Sequence, residues 1–285
     1  MEKLKVDVLA TALAMNASGI NSGSAGNVSA RCGSGFIITP TGMAYDDCDA
    51  DDMVCLGDNG KPSVGADTTT ASKTTDETTA QQERAGQNPA HFAADALQGG
   101  RAKDALFAVA DDVECRHSTA DPLHRRETAR CETPASPALQ QRQPSSEWRF
   151  HRDIYIAHPD VGAIVHAHSP FATALACQGM SIPAFHYMVA RFGGNNVRCA
   201  TYATFGTQAL SDAILIAMRD RKACLIANHG MLVCSANLKR ALALAIELES
   251  LAEQYWRVLQ LGTPILLGDE EMKRVLVKFS SYGQP

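Results

Sequence analysis

The stretch Val161-Gly162-Ala163-Ile164-Val165-His166-Ala167-His168 decides how this chain is read. Its apolar run predicts a buried strand. Side chains on a strand alternate between faces, so two imidazoles two residues apart point the same way at its carboxyl end. A second apolar run, Ala223-Cys224-Leu225-Ile226-Ala227, ends in Asn228-His229-Gly230 and offers a third imidazole in a comparable place. Both runs read as buried parallel strands, and in open α/β sheets ligands gather at the carboxyl ends of the strands. The expected fold is therefore α/β: one domain with a central β-sheet covered by helices. Three histidines on strand ends, with a carboxylate nearby, form the ligand set of a catalytic zinc that keeps one position open.

Glu147, in Pro144-Ser145-Ser146-Glu147-Trp148-Arg149-Phe150-His151, is the candidate carboxylate. The following residues carry an apolar stripe at helical spacing up to Pro159. Ser145 or Ser146 would cap that helix, with Glu147 in its first turn. A serine cap followed by glutamate is also ordinary helix-start grammar, and Asn228-His229-Gly230 also reads as an ordinary turn. Functionally, the same helix start offers N–H groups and hydroxyls to a phosphate beside Glu147. The remaining six histidines show no ligand spacing.

Five ordered stretches resemble the class II aldolase/adducin family, and within it the fuculose-phosphate aldolase branch. They are Ala25-Gly26-Asn27-Val28-Ser29, Ile38-Thr39-Pro40-Thr41-Gly42, Ser145-Ser146-Glu147, His166-Ala167-His168-Ser169-Pro170 and Ala227-Asn228-His229-Gly230. The likeness covers about residues 1–62 and 144–283. It implies that Glu147, His166, His168 and His229 hold one Zn2+ per subunit, and that Glu147 is also the base at the carbon next to the substrate carbonyl. It further implies that Gly26, Asn27, Thr41, Gly42, Ser145 and Ser146 bind phosphate. Tyr187 matches a proton donor lent by a neighbouring subunit, and Phe205 and Tyr282 match walls of the aldehyde pocket. A homotetramer with sites between subunits is part of the same expectation. So is reversible cleavage of a ketose 1-phosphate to dihydroxyacetone phosphate and a small aldehyde such as lactaldehyde.

Composition sets limits that agree with this. A net charge of -5 and a pI near 6.0 give no reason to expect a nucleic-acid partner. No apolar run approaches the ~18 residues of a membrane span, and Met1-Glu2-Lys3-Leu4-Lys5 does not lead into a signal peptide. The 9 cysteines are scattered singly without a Cys-x-x-Cys pair, and are expected to be reduced, buried thiols in the cytoplasm.

The expected organisation is a domain of residues 1–63 and 144–285, interrupted by 64–143. An opening helix carries Val6, Leu9 and Leu13 inward; strands follow around 28–30 and 35–39. Beyond the interruption come helices near 146–157, 170–178 and 207–220, strands near 162–167 and 223–228, and a long helix from Asn237 to Leu261. Glu247, Glu249 and Glu253 are expected on its solvated face. Residues 64–143 contain no Ile, Tyr or Trp, too little apolar mass to offset ordering entropy of roughly 1–2 kcal/mol per residue. They read as a low-complexity, disordered insertion with at most a short helix around 103–111. It is either a true surface loop or an intervening sequence retained in the gene.

Other activities fit the same scaffold: a pentulose-phosphate 4-epimerase, a methylthioribulose-phosphate dehydratase, or a non-catalytic adducin-like structural module. The complete set Glu147, His166, His168 and His229 speaks against the last. By resemblance, Phe205-Gly206-Thr207 and Ser281-Tyr282-Gly283 favour the aldolase over the epimerase.

Overall fold

The computed structural model describes residues 1–62 and 142–281. Most of the expected insertion, the helix expected around 103–111 and Tyr282 lie outside the described residues. Arg142 and Gln143, assigned to the insertion, are tied to the domain. Arg142 Nε donates to Asp52 at 2.6 Å, and Thr41 N donates to the Gln143 carbonyl at 3.0 Å.

The strands are β1 (Asn27–Cys32), β2 (Gly35–Ile38), β3 (Val54–Leu56), β4 (Ala163–Ala167), β5 (Arg198–Ala200), β6 (Ala223–Ile226) and β7 (Gly230–Ser235). They form one seven-stranded sheet in the order β3-β2-β1-β4-β7-β6-β5. The helices are α1 (Glu2–Ala17), α2 (Trp148–Ala157), α3 (Pro170–Cys177), α4 (Gln208–Ala217), α5 (Leu238–Leu261) and α6 (Asp269–Ser281).

The sheet is mainly antiparallel, which corrects the parallel expectation. Only β5 and β6 pair in parallel; β4 and β6 share a direction but are separated by the antiparallel β7. The cause is local. Ile226 pairs with Gly230 across Ala227-Asn228-His229, so the chain turns back at once instead of crossing over through a helix. Asn228 supplies the left-handed residue of that turn at φ +53°, a conformation asparagine tolerates better than most. A Cβ on Gly230 would lie 2.5 Å from the Ala167 carbonyl, so glycine alone lets β7 close against the end of β4.

Strand alternation sends buried side chains into two cores. Ala163, Val165 and Ala167 of β4 join Val28, Leu225 and Val233 beneath α1, α3 and α5. Ile164 joins Phe36, Ile38, Ile226 and Leu232 beneath α2 and α4. Each such Ile, Leu or Phe contributes about 1.5–3 kcal/mol by burial. His166 continues the Ile164 face, and so is fully buried under Phe150 of α2.

Several finer expectations change. α1 turns Val8, Ala12 and Met15 inward, packs Leu9 and Leu13 partly against the core, and leaves Val6 exposed. The residue capping α2 is Glu147, not a serine, and its carboxylate makes no cap hydrogen bond. Glu249 is not on a solvated face; it binds the start of α3. Glu247 pairs with Arg191 at 3.0 Å. All seven described cysteines are free, but only Cys224 and Cys234 are buried, and Cys177 is exposed.

Candidate active site

The antiparallel turn still delivers the expected result at one edge of the sheet. Because β4 and β6 run the same way, both end on that edge, and the ligand atoms of His166, His168 and His229 lie within 4.8 Å of one another. His166 Nε2 and His168 Nε2 are 3.1 Å apart. Glu147 closes the group, with Oε2 3.2 Å from His166 Nε2 and Oε1 3.2 Å from His229 Nε2.

The protonation pattern identifies what this cluster suits. His166 Nδ1 donates to the Met231 carbonyl at 2.8 Å, so Nε2 is the nitrogen aimed into the cluster and the one available to a metal. Burial and then the neighbouring imidazoles push His168 down to about 4, so its ring is neutral at ordinary pH. Burial works against the charged form of Glu147; a proton on the facing nitrogen of His166 or His229 outweighs it and holds the carboxyl below the usual range, a part that a cation takes over when the rings are neutral. Glu147 Oε1 is buried yet accepts no well-aligned hydrogen bond. Lone pairs facing one another with too few protons between them repel. A divalent cation in their midst removes the repulsion, and imidazoles with a carboxylate are the donor set such an ion takes. The four residues therefore fit a metal.

Beside the cluster lies a cavity of about 330 Å³, large enough for a small phosphorylated molecule. Gly26, Asn27, Thr41, Gly42, Ser145 and Ser146 line it together with Glu147, His168, His229 and Phe205. A Cβ at Gly26 would come within 2.5 Å of the His166 carbonyl, so the chain needs glycine to pass there. The Asn27 side chain is already engaged, donating to Ser145 Oγ at 3.1 Å and to Glu147 Oε2 at 2.9 Å. Tyr187 does not line the cavity. It is half exposed and stacks on Phe279.

Tyr202, Ala203 and Asn228 also line the cavity and were not anticipated. Tyr202 and Ala203 follow β5, whose three residues are too short to show a strand period, so no strand end marked them.

Fold and site together define a metal-dependent enzyme acting on a small polar substrate held beside the ion. The profile described as "Class II Aldolase and Adducin N-terminal domain" matches residues 6–80 and 113–256, and the chain belongs to that family. It is 34% identical over 282 residues to the L-fuculose phosphate aldolase of Escherichia coli K12, covering 99% of this chain and 96% of that one. Over 142 residues it is 61% identical to a 5-methylthioribulose-1-phosphate/5-deoxyribulose-1-phosphate aldolase of Rhodospirillum rubrum. That match covers 50% of this chain and 64%, just under two thirds, of the relative. A solved L-fuculose 1-phosphate aldolase superposes with a TM-score of 0.69 at 27% identity, over 98% of this chain and 96% of that one. The chain is a class II, metal-dependent aldehyde-lyase.

Proposed function

We propose that the protein is a zinc aldolase that reversibly cleaves a ketose 1-phosphate to dihydroxyacetone phosphate and a short aldehyde. The observation that carries this is the cluster of Glu147, His166, His168 and His229, of which Glu147, His168 and His229 line the same cavity as Gly26, Thr41, Gly42, Ser145 and Ser146. A bound divalent ion supplies Lewis-acid stabilisation of the negative charge that develops on the substrate oxygens when the carbon–carbon bond breaks. The hydroxyls and glycine-lined backbone opposite hold the phosphate, and this remote binding orients the reacting carbons.

In the synthetic direction, Glu147 takes a proton from the hydroxymethyl carbon of dihydroxyacetone phosphate. The electron pair released there forms the new bond to the aldehyde carbon, and Tyr187 of a neighbouring subunit gives its proton to the aldehyde oxygen. Cleavage reverses each transfer. A homotetramer accounts for the position of Tyr187 outside the cavity of its own chain. Free cysteines fit a reducing cytoplasm, and among the described residues no helix is long and apolar enough to cross a membrane.

Tyr202, Ala203 and Phe205 give the aldehyde end of the cavity an apolar wall. That wall suits a methyl or thiomethyl terminus, as in the ketose phosphates named for both relatives. The test is a panel of L-fuculose 1-phosphate, 5-deoxyribulose 1-phosphate and 5-methylthioribulose 1-phosphate, with release of dihydroxyacetone phosphate measured on the zinc-loaded protein. Release from at least one is expected. No release from any of them, with zinc bound, rejects the reading.

A further inference from the structure

A buried polar chain runs away from Glu147 that the proposed reaction does not use. Tyr155 Oη lies 2.8 Å from Ser29 Oγ, and Ser29 Oγ lies 2.7 Å from His151 Nδ1. His151 Nε2 is 2.5 Å from Asn27 Oδ1, and Asn27 Nδ2 is 2.9 Å from Glu147 Oε2. Ser29 and His151 are 0% exposed, so water does not compete for the bonds these two residues make.

The direction of each bond follows from the carboxylate. Ionised Glu147 only accepts, so Asn27 must turn its amide nitrogen toward it, and the second hydrogen of that nitrogen goes to Ser145 Oγ. The amide oxygen then faces His151, whose Nε2 must carry a hydrogen. In the neutral ring Nδ1 is left bare and accepts from Ser29, and Ser29 in turn accepts from Tyr155. Complete burial keeps the ring neutral.

We propose that His151 is a positioning residue. By holding the Asn27 amide oxygen from the far side, it steadies the amide that anchors Oε2 of Glu147 and leaves Oε1 as the oxygen free to meet ion and substrate. The two ends of an asparagine amide are nearly the same size, so sterics alone do not choose between them. Without the Nε2–H, the buried Asn27 oxygen has no donor and the amide is held only from the side of Glu147 and Ser145, so it no longer fixes Oε2 in place. His151 sits one helical turn beyond Glu147, on the same side of α2, so one element carries both the carboxylate and the group that orients it. This role rests on reading Glu147 as the base.

The test compares His151→Phe, which keeps the ring volume and removes both nitrogens, with His151→Gln, whose amide restores a donor. Two quantities are read: hydrogen exchange on dihydroxyacetone phosphate by the zinc enzyme, and the visible spectrum of the Co2+-substituted protein. In His151→Phe, kcat for exchange is expected to fall about 10–100-fold with KM changed less than about twofold, and the Co2+ bands to shift. His151→Gln should recover most of both. Unchanged kcat and spectrum in His151→Phe overturn the proposal, as does a loss that His151→Gln fails to recover. Should His151→Phe not fold, Ser29→Ala removes only the hydroxyl that fixes the ring tautomer; it should lower kcat at unchanged KM, and an unaltered kcat overturns the proposal. Wild-type protein without exchange would reject Glu147 as base, while the Co2+ spectra still decide whether His151 orients it.

Discussion

Glu249, in the middle of α5, accepts a hydrogen bond from Ser169 Oγ at 2.6 Å, and Ser169 directly follows the ligand His168. The same carboxylate accepts from the backbone N–H groups of Phe171 and Ala172 at 2.7 and 2.9 Å. It therefore serves as the N-terminal cap of α3, where negative charge also complements the helix dipole. Replacing it with alanine leaves buried donors unmatched, each costing about 1–3 kcal/mol. Glu249→Ala is expected to lower stability by roughly 2–4 kcal/mol in urea unfolding and to weaken metal binding through the loosened His168 loop. A loss under about 0.5 kcal/mol, typical of surface sites, would remove Glu249 from this role.

The acceptor cluster makes a prediction about metal removal. With no cation among His166, His168, His229 and Glu147, the native fold keeps close lone pairs that the unfolded chain does not. Chelation should lower Tm, and added Zn2+ should restore it in proportion to the logarithm of its free concentration. His166→Ala should abolish that response. A Tm indifferent to Zn2+ in the wild type would contradict the metal reading without reference to activity.

Separate roles for base and acid predict separate failures. Glu147→Gln should abolish hydrogen exchange on dihydroxyacetone phosphate and cleavage together. Tyr187→Phe should spare exchange but slow cleavage by on the order of 10²–10⁴-fold. Equal losses in both assays would merge the two roles into one.

Much of this site was legible because strand period and helix period each throw ligands to one side: His166 and His168 two apart, Glu147 at a helix start. What stayed hidden depended on partners distant in sequence. Gly230-Met231-Leu232-Val233-Cys234-Ser235 is buried on both faces, so its sequence carries no polar alternation to mark a returning strand. Without β7 the sheet looked parallel. Glu249 looked solvent-facing because its acceptors' partners lie on α3, about 80 residues back in the chain. His151 carried a signal in its four-residue spacing from Glu147, but only the asparagine between them gives that spacing a purpose.

Acid stability should depend on Asp153 of α2. Burial works against its charged form, but hydrogen bonds from Ser211, Gln208 and Arg152 outweigh it, so its carboxyl titrates below the ordinary value of about 3.9. A depressed carboxyl stabilises the fold above that ordinary value, and the contribution is lost as pH falls through the lower folded value. The stability gap between wild type and Asp153→Asn should thus be constant from pH 6 to 8 and shrink below about pH 4. Unfolding curves at several pH values check this; a gap that widens in acid would reverse the sign.

Deleting residues 64–143, to join Ser63 to Pro144, is the last test. Both flanks are hooked to the β2–β3 margin of the sheet, toward its two ends: Pro62 bridges Leu56 at the end of β3, and Pro144 bridges Pro40 just beyond the end of β2. The join gives up the solvent-screened Arg142–Asp52 pair and the Thr41 N–H bond to Gln143, the latter worth about 1 kcal/mol. Shortening the chain between the two flanks offsets part of that loss, since closure entropy grows with the number of residues between joined ends. The shortened chain is expected to fold with a Tm within a few degrees of the full one and an equal zinc content per subunit. It should retain cleavage, because Ser145 and Ser146 keep their place through the Ser145 N–H bond to the Thr39 carbonyl. A soluble deletion that binds zinc but no longer cleaves would make the segment part of the enzyme. A spliced transcript that still encodes Val64 to Gln143 would show it to be a true part of the chain.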